Sequence, residues 1–131
     1  MFVTMASLAQ VLVVDDDPTI RTCVSLLLES AGYDVAEAED GIEALLFISK
    51  NTPDVVVSDL NMPRMSGFDL LSEVQRRFPQ IVTIAMSGAY RNSAELPAEA
   101  RAHGFYAKGA PASNLVATLA LLLEGNRAPS V

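Results

Sequence analysis

The stretch from Val55 to Pro63 constrains this chain more than any other. A β-branched run, Val55-Val56-Val57, passes through Ser58 to a carboxylate, Asp59, and then into Leu60-Asn61-Met62-Pro63. An apolar run this short, with Pro53 before it and Pro63 after it, is the pattern of a strand buried on both faces of a parallel sheet. Asp59 then stands at a strand's carboxyl end, where open α/β sheets bind their ligands. Val11-Leu12-Val13-Val14 has the same construction and runs into Asp15-Asp16-Asp17, with Pro18 opening the next segment. If the two strands are neighbours their carboxylates meet, and each pair of charges about 4 Å apart repels by about 4 kcal/mol at an effective dielectric near 20. A hard divalent cation compensates for this, and magnesium typically takes one or two carboxylates, waters and a phosphate. Helix capping explains either cluster taken singly; the two together favour the cation.

A chain of 131 residues, half of them hydrophobic, supports one complete core and is too short for two ordinary domains. Its single cysteine, Cys23, excludes an internal disulfide and gives no sign of an oxidising compartment. The formal charge of −7 argues against direct nucleic-acid binding, which needs a basic footprint. The uncharged stretch from Met1 to Val14 lacks the basic start of an export signal and is shorter than the ~20 residues of a membrane span. The expectation is a soluble, cytoplasmic protein with no membrane partner.

Taken in order, residues Met1 to Gln10 read as an N-terminal arm, 11–124 as the folded domain and 125–131 as a tail or the start of a linker. Pro18 suits the first helical position, and Ile20, Cys23, Val24, Leu27 and Leu28 recur at the spacing of one buried helical face. Gly32 ends that helix, and Tyr33 to Ala38 alternates as a second, more exposed strand. Gly41 to Lys50 follows as a helix with Ile42, Leu45, Leu46 and Ser49 on one side. Leu70, Leu71, Val74 and Phe78 mark a third helix, and Ile81 to Met86 a fourth strand that ends on Ser87-Gly88. Pro97 to His103 is expected as a short fourth helix, with His103 in its last turn. Phe105 to Ala107 is the fifth strand, ending on Lys108, and Ala112 to Leu123 the fifth helix. Strand and helix alternate throughout, which implies a doubly wound, five-stranded parallel sheet with helices on both faces.

Asp15/Asp16, Asp59, Ser87 and Lys108 thus end four of the five strands. With strand order 2-1-3-4-5, a flavodoxin-like three-layer sandwich, the switch point lies between the first and third strands and gathers Asp15, Asp16 and Asp59. Such a set suits phosphoryl transfer to a carboxylate: Asp59 as nucleophile, a metal to neutralise phosphoryl oxygens, and Lys108 and Ser87 to take the remaining oxygens.

From Val11 to Leu123 the chain resembles the receiver domain of two-component response regulators. The matching pieces are Val11 to Pro18, Asp59-Leu60-Asn61-Met62-Pro63 with Ser66-Gly67, Met86-Ser87-Gly88 and Tyr106-Ala107-Lys108. The resemblance implies that Asp59 is the phosphoacceptor, charged from a phosphohistidine on a sensor histidine kinase or phosphotransfer protein. It implies Mg²⁺ bound by Asp16, Asp59 and the Asn61 backbone carbonyl, with Asp15 supporting from nearby. Ser87 and Lys108 would contact the phosphoryl group, Ser87 and Phe105 would be the switch residues, and Asn61 and Ala89 would tune the hydrolysis rate. The output face would be the fourth helix, fifth strand and fifth helix, open to a downstream effector protein, an output domain or a homodimer partner. The family is a phosphoacceptor signalling domain, with self-phosphotransfer and autodephosphorylation, rather than an enzyme.

This chain departs from the family pattern in three places. Gly109 and Ala110 follow the lysine where the family has a cis-linked Pro and then Phe. A cis bond without proline costs ~2.5–4 kcal/mol, so a trans and looser loop is expected. Phe105 lacks the phenol hydroxyl of a Tyr, and the fourth-helix region is thin and Ala-rich. Two other readings stand beside the receiver. Asp15-Asp16-Asp17-Pro18-Thr19 fits the Asp-x-Asp-x-Thr signature of haloacid-dehalogenase-type phosphatases, with Asp15 as nucleophile and Asp17 as acid/base, although beyond Lys108 the only carboxylate side chain is Glu124. A receiver-like interaction module without phosphorylation is the other.

Overall fold

The structure is a computed structural model that describes residues 9–96 and 102–126. Five strands alternate with helices: β1 (Gln10–Val14), α1 (Pro18–Ser30), β2 (Asp34–Ala38), α2 (Gly41–Lys50), β3 (Val55–Asp59), α3 (Gly67–Arg77), β4 (Val82–Ser87), a 3₁₀ turn (Ser93–Glu95), β5 (Gly104–Ala107) and α4 (Ala112–Asn126). The sheet is parallel throughout in the order β2-β1-β3-β4-β5. This is the doubly wound arrangement expected from the alternation, with the switch point between β1 and β3.

Because side chains alternate across a strand, the sheet feeds two cores. Val11, Val13, Val55, Val57, Ile84 and Met86 pack with Val24 and Leu28 of α1 and Leu115 and Leu119 of α4. Leu12, Val14, Val56 and Ala85 pack with Ala44 and Ile48 of α2 and Leu70, Leu71 and Val74 of α3. β3 is buried along its whole length, as its position between two layers of helices requires. Side chains cap the helix starts: Asp17 accepts from the Thr19 and Ile20 N–H groups, Asp40 from Glu43 and Ser66 from Asp69. Each satisfies a backbone donor that the first turn leaves open.

Several expectations are corrected. Cys23 is exposed; α1 turns Val24, Ser25 and Leu28 inward instead, because Thr22-Cys23 lies one step around the helix from the sheet. In α2, whose sequence is apolar nearly all round, the buried residues are Gly41, Ala44 and Ile48, while Ile42 and Leu46 are exposed. Ala44 is fully buried, and Gly41 lies against the Met65 side chain of the loop before α3. Gln10 belongs to β1 rather than to an arm, and Ala9 is buried with its carbonyl accepting from the Asp34 N–H. The last helix runs past Leu123 to Asn126. Most of the expected helix Pro97–His103 lies outside the described residues, but His103 itself is not helical. No helix among the described residues is long and apolar enough to cross a membrane.

Candidate functional site

Register puts the chemistry at one edge of the sheet. Ser58 lies opposite Val14, Asp59 opposite Met86, and Ser87 opposite Ala107. The residues just past these positions, Asp15 and Lys108, therefore emerge at the same carboxyl edge as Asp59.

Asp15 is fully buried and Asp59 nearly so, at 4% exposure, whereas Asp16 is exposed. The three carboxylates lie with ligand oxygens within 4.8 Å of one another. Asp15 Oδ1 accepts from the Asp17 N–H at 2.9 Å, and Asp59 Oδ1 accepts from the Asn61 N–H at 3.3 Å. The Lys108 ammonium bridges the two buried acids, 2.9 Å from Asp15 Oδ2 and 3.1 Å from Asp59 Oδ1. Burial, and then the negative charge of Asp15, holds the Asp59 carboxyl above its ordinary value, against the pull of Lys108 and the Asn61 N–H. Burial alone would lower Lys108, but its hydrogen bonds to Asp15 and Asp59 and their charges outweigh that and raise it. A single ammonium facing three acids leaves the pocket negative, and its hard oxygen donors are those that Mg²⁺ selects.

The other expected site residues fall around this cluster. Ser87 is buried at the end of β4, and its hydroxyl oxygen accepts from the Ala89 N–H at 2.9 Å. A serine hydroxyl that accepts in this way still carries one proton to donate. Phe105 is half-buried against the core layer of α2 and α3, while Tyr106, next to it, packs on the opposite layer. Asp17, the acid/base of the phosphatase reading, is committed to capping α1.

The lysine loop is trans, as expected, but it is not loose. Ala110 N–H donates to the Ala107 carbonyl at 3.0 Å, and the Lys108 N–H donates to the Ser87 carbonyl at 2.9 Å. Gly109 has φ +94° while Lys108 keeps a negative φ, the geometry of a type II turn with glycine at the position that demands it. The Tyr106 hydroxyl donates to the Ala110 carbonyl at 2.8 Å and closes the loop.

Two residues outside the expected site also matter. Arg21 reaches back from α1 to donate to the Asp15 carbonyl at 2.6 Å; its position, four residues after a run of acids, was the available signal. His103, expected in the last turn of a helix, instead lies just before β5, where its Nδ1 accepts from the buried Thr83 N–H at 2.9 Å and ties β4 to the start of β5. No local pattern announces that contact.

The family model described as "Response regulator receiver domain" matches residues 11–120. The chain belongs to the response regulator receiver domains. Receiver domains of two-component systems are, as a family, signalling phosphoacceptor domains rather than classical enzymes; they work with histidine kinases and output domains and bind Mg²⁺ at an acidic pocket. Among curated relatives, the transcriptional regulatory protein GlrR of Escherichia coli is 39% identical over 79 residues, 60% of this chain and 18% of that protein. The sensor kinase CckA of Brucella abortus is 39% identical over 121 residues, 88% of this chain and 13% of that protein. The receiver thus spans less than a fifth of either relative. The chemotaxis response regulator CheY4 of Vibrio cholerae has a solved structure that superposes with a TM-score of 0.80 at 35% identity, covering 88% of this chain and 99% of that one.

Proposed function

We propose that Asp59 accepts a phosphoryl group from the phosphohistidine of a sensor histidine kinase or phosphotransfer protein, in the cytoplasm, and that the resulting aspartyl phosphate changes the face read by an effector protein or output domain. The observation that carries this is the position of Asp59: a nearly buried carboxylate at a strand end, beside two further acids and in contact with Lys108.

In this reading an Asp59 carboxylate oxygen attacks phosphorus, the P–N bond of phosphohistidine breaks, and the imidazole leaves with its electron pair. Asp16, Asp59 and the Asn61 backbone carbonyl would hold Mg²⁺, with Asp15 beside them. Bound there, the cation neutralises phosphoryl oxygens as their charge is brought against an anionic nucleophile. Lys108, already 3.1 Å from Asp59 Oδ1, exchanges carboxylate contacts for a phosphoryl oxygen. The Ser87 hydroxyl donates to another. Ser87 and Phe105 lie on adjacent strands, with Phe105 opposite Ala85, so a shift at Ser87 is passed to the face of β5 and the last helix as a population shift between two packings. Asn61, whose N–H donates to Asp59, and Ala89, whose N–H donates to Ser87, would set how fast water removes the phosphoryl group. The hydrogen-bonded turn at Gly109 holds Lys108 in place without the family's proline, which supports this reading over a non-phosphorylated module.

Incubation with acetyl phosphate and Mg²⁺, read by intact mass, is expected to add one phosphoryl group that hydrolyses with time. Chelation of the metal should nearly abolish uptake, Asp59→Asn should abolish it and Asp15→Asn should reduce it. A phosphoryl group retained on Asp59→Asn would overturn the assignment; labelling at Asp15 would revive the phosphatase reading.

A further inference from the structure

We infer that Arg21 is a positioning residue for the cation site, acting through the backbone of Asp15 and Asp16. Its side chain is only 18% exposed and its guanidinium forks, Nη1 donating to the Asp15 carbonyl at 2.6 Å and Nε to Glu37 Oε1 on β2 at 3.1 Å. The Asp15 N–H is held from the same strand, donating to the Ala38 carbonyl at 3.2 Å. Asp15 is therefore fixed at its N–H, at its carbonyl by Arg21, and at both carboxylate oxygens by the Asp17 N–H and Lys108.

Asp16 is different. Its carboxylate is exposed and takes part in none of the hydrogen bonds or ion pairs found among the described residues. Its direction is set by the peptide that joins it to Asp15, and the carbonyl of that peptide is the one Arg21 grips. A planar peptide cannot rotate at one end without the other, so Arg21 aims Asp16. Glu37 holds the guanidinium in place and offsets its charge, so that an arginine beside an acidic cluster does not repel the incoming cation. A planar fork suits this double grip better than an ammonium.

The inference rests on the reading that Asp15, Asp16 and Asp59 bind Mg²⁺, and it predicts a sign that simple electrostatics does not. Removing a positive charge near a cation site strengthens cation binding by Coulomb's law; removing a positioning residue weakens it. Mg²⁺ is titrated into the unphosphorylated chain and followed by the amide shifts of Asp15, Asp16 and Asp17. In Arg21→Met, which keeps the apolar stem, the Kd is expected to rise about tenfold, the scale seen for residues that orient metal ligands. Arg21→Lys, which preserves the charge and is the variant to use if Arg21→Met unfolds, should move the Kd in the same direction. In an Asp16→Asn background Arg21→Met should add less than about twofold, because both changes remove one contribution. An unchanged or lower Kd in both Arg21 variants, or the full tenfold effect in the Asp16→Asn background, overturns the inference. A wild-type chain without Mg²⁺-dependent shifts at these amides would instead fail the binding reading itself.

Discussion

Asp15 and Asp59 share one cation: the Lys108 ammonium lies 2.9 Å from the first and 3.1 Å from the second. Two buried acids on one ammonium leave the site with an excess of negative charge, and the testable consequences begin there.

Asp59→Asn is expected to stabilise the metal-free protein at pH 7, by about 1 kcal/mol, the usual size of a point-substitution effect. Burial and Asp15 raise the folded carboxyl above 3.8, so the native state binds this proton more tightly than the unfolded chain. Stability therefore falls as pH rises from 3.8 through the raised folded value, and Asn escapes that loss. Thermal melts of the two proteins should converge below pH 3.8 and diverge above it. Added Mg²⁺ should shrink the difference, since it stabilises whichever native state binds it. A wild type at least as stable as Asp59→Asn in metal-free buffer at pH 7 would contradict this account.

Gly109→Ala should cost about 1–2 kcal/mol, because a Cβ in the left-handed region is strained. Nothing lies within 4 Å of that Cβ, so the cost is conformational rather than steric. Since the turn sets where Lys108 leaves β5, phosphorylation should slow in parallel. Urea unfolding that shows no loss would mean the turn rebuilds freely.

His103→Ala should destabilise by about 1–3 kcal/mol, the cost of a buried donor left without its partner. The Thr83 N–H is that donor: Thr83 is fully buried, and its N–H gives its hydrogen to His103 Nδ1. The imidazole must accept there, which fixes Nδ1 as the unprotonated nitrogen. His103→Asn, with a side-chain oxygen able to accept at similar reach, should recover part of the loss. Equal loss in the two variants would point to packing instead of the hydrogen bond.

The residues show which parts of this molecule could be read in advance. Val55 to Asp59 announced a buried strand because β-branched runs have few other uses, and four strand ends bearing functional groups followed from alternation alone. Hidden features depend on partners distant in sequence. Cys23 and Ser25 are both compatible with the stripe of α1, and only the crossing of α1 over the sheet decides between them. Ile42 and Leu46 fit an inward stripe because α2 carries apolar residues on two faces, and the face bearing Gly41, Ala44 and Ile48 is the one that is buried. The grip of Arg21 on Asp15 and the link from His103 to Thr83 span 6 and 20 residues and carry no periodic signal.

Gly67 offers the sharpest substitution near the acceptor. It opens α3 immediately after the loop from Asp59, and its N–H donates to the Leu60 carbonyl at 3.1 Å. A Cβ there would run into the Asp59 carbonyl oxygen and lie 2.6 Å from the Leu60 Cα. Both are backbone atoms, so relief requires moving either α3 or the strand end that carries Asp59. Gly41 makes an informative control, because its Cβ would meet the Met65 sulfur at 2.7 Å, and a flexible thioether can swing aside. Gly67→Ala is expected to cost about 3 kcal/mol or more, at the upper end for overpacking, and Gly41→Ala about 1 kcal/mol or less, with part of its strain offset by the better helix propensity of alanine. Phosphoryl uptake should follow the same order, falling steeply in Gly67→Ala because Asp59 no longer faces Lys108, and little in Gly41→Ala. If denaturant unfolding and acetyl phosphate labelling showed the two variants to be equal, the contact between the start of α3 and the Asp59 backbone would not be what fixes the acceptor.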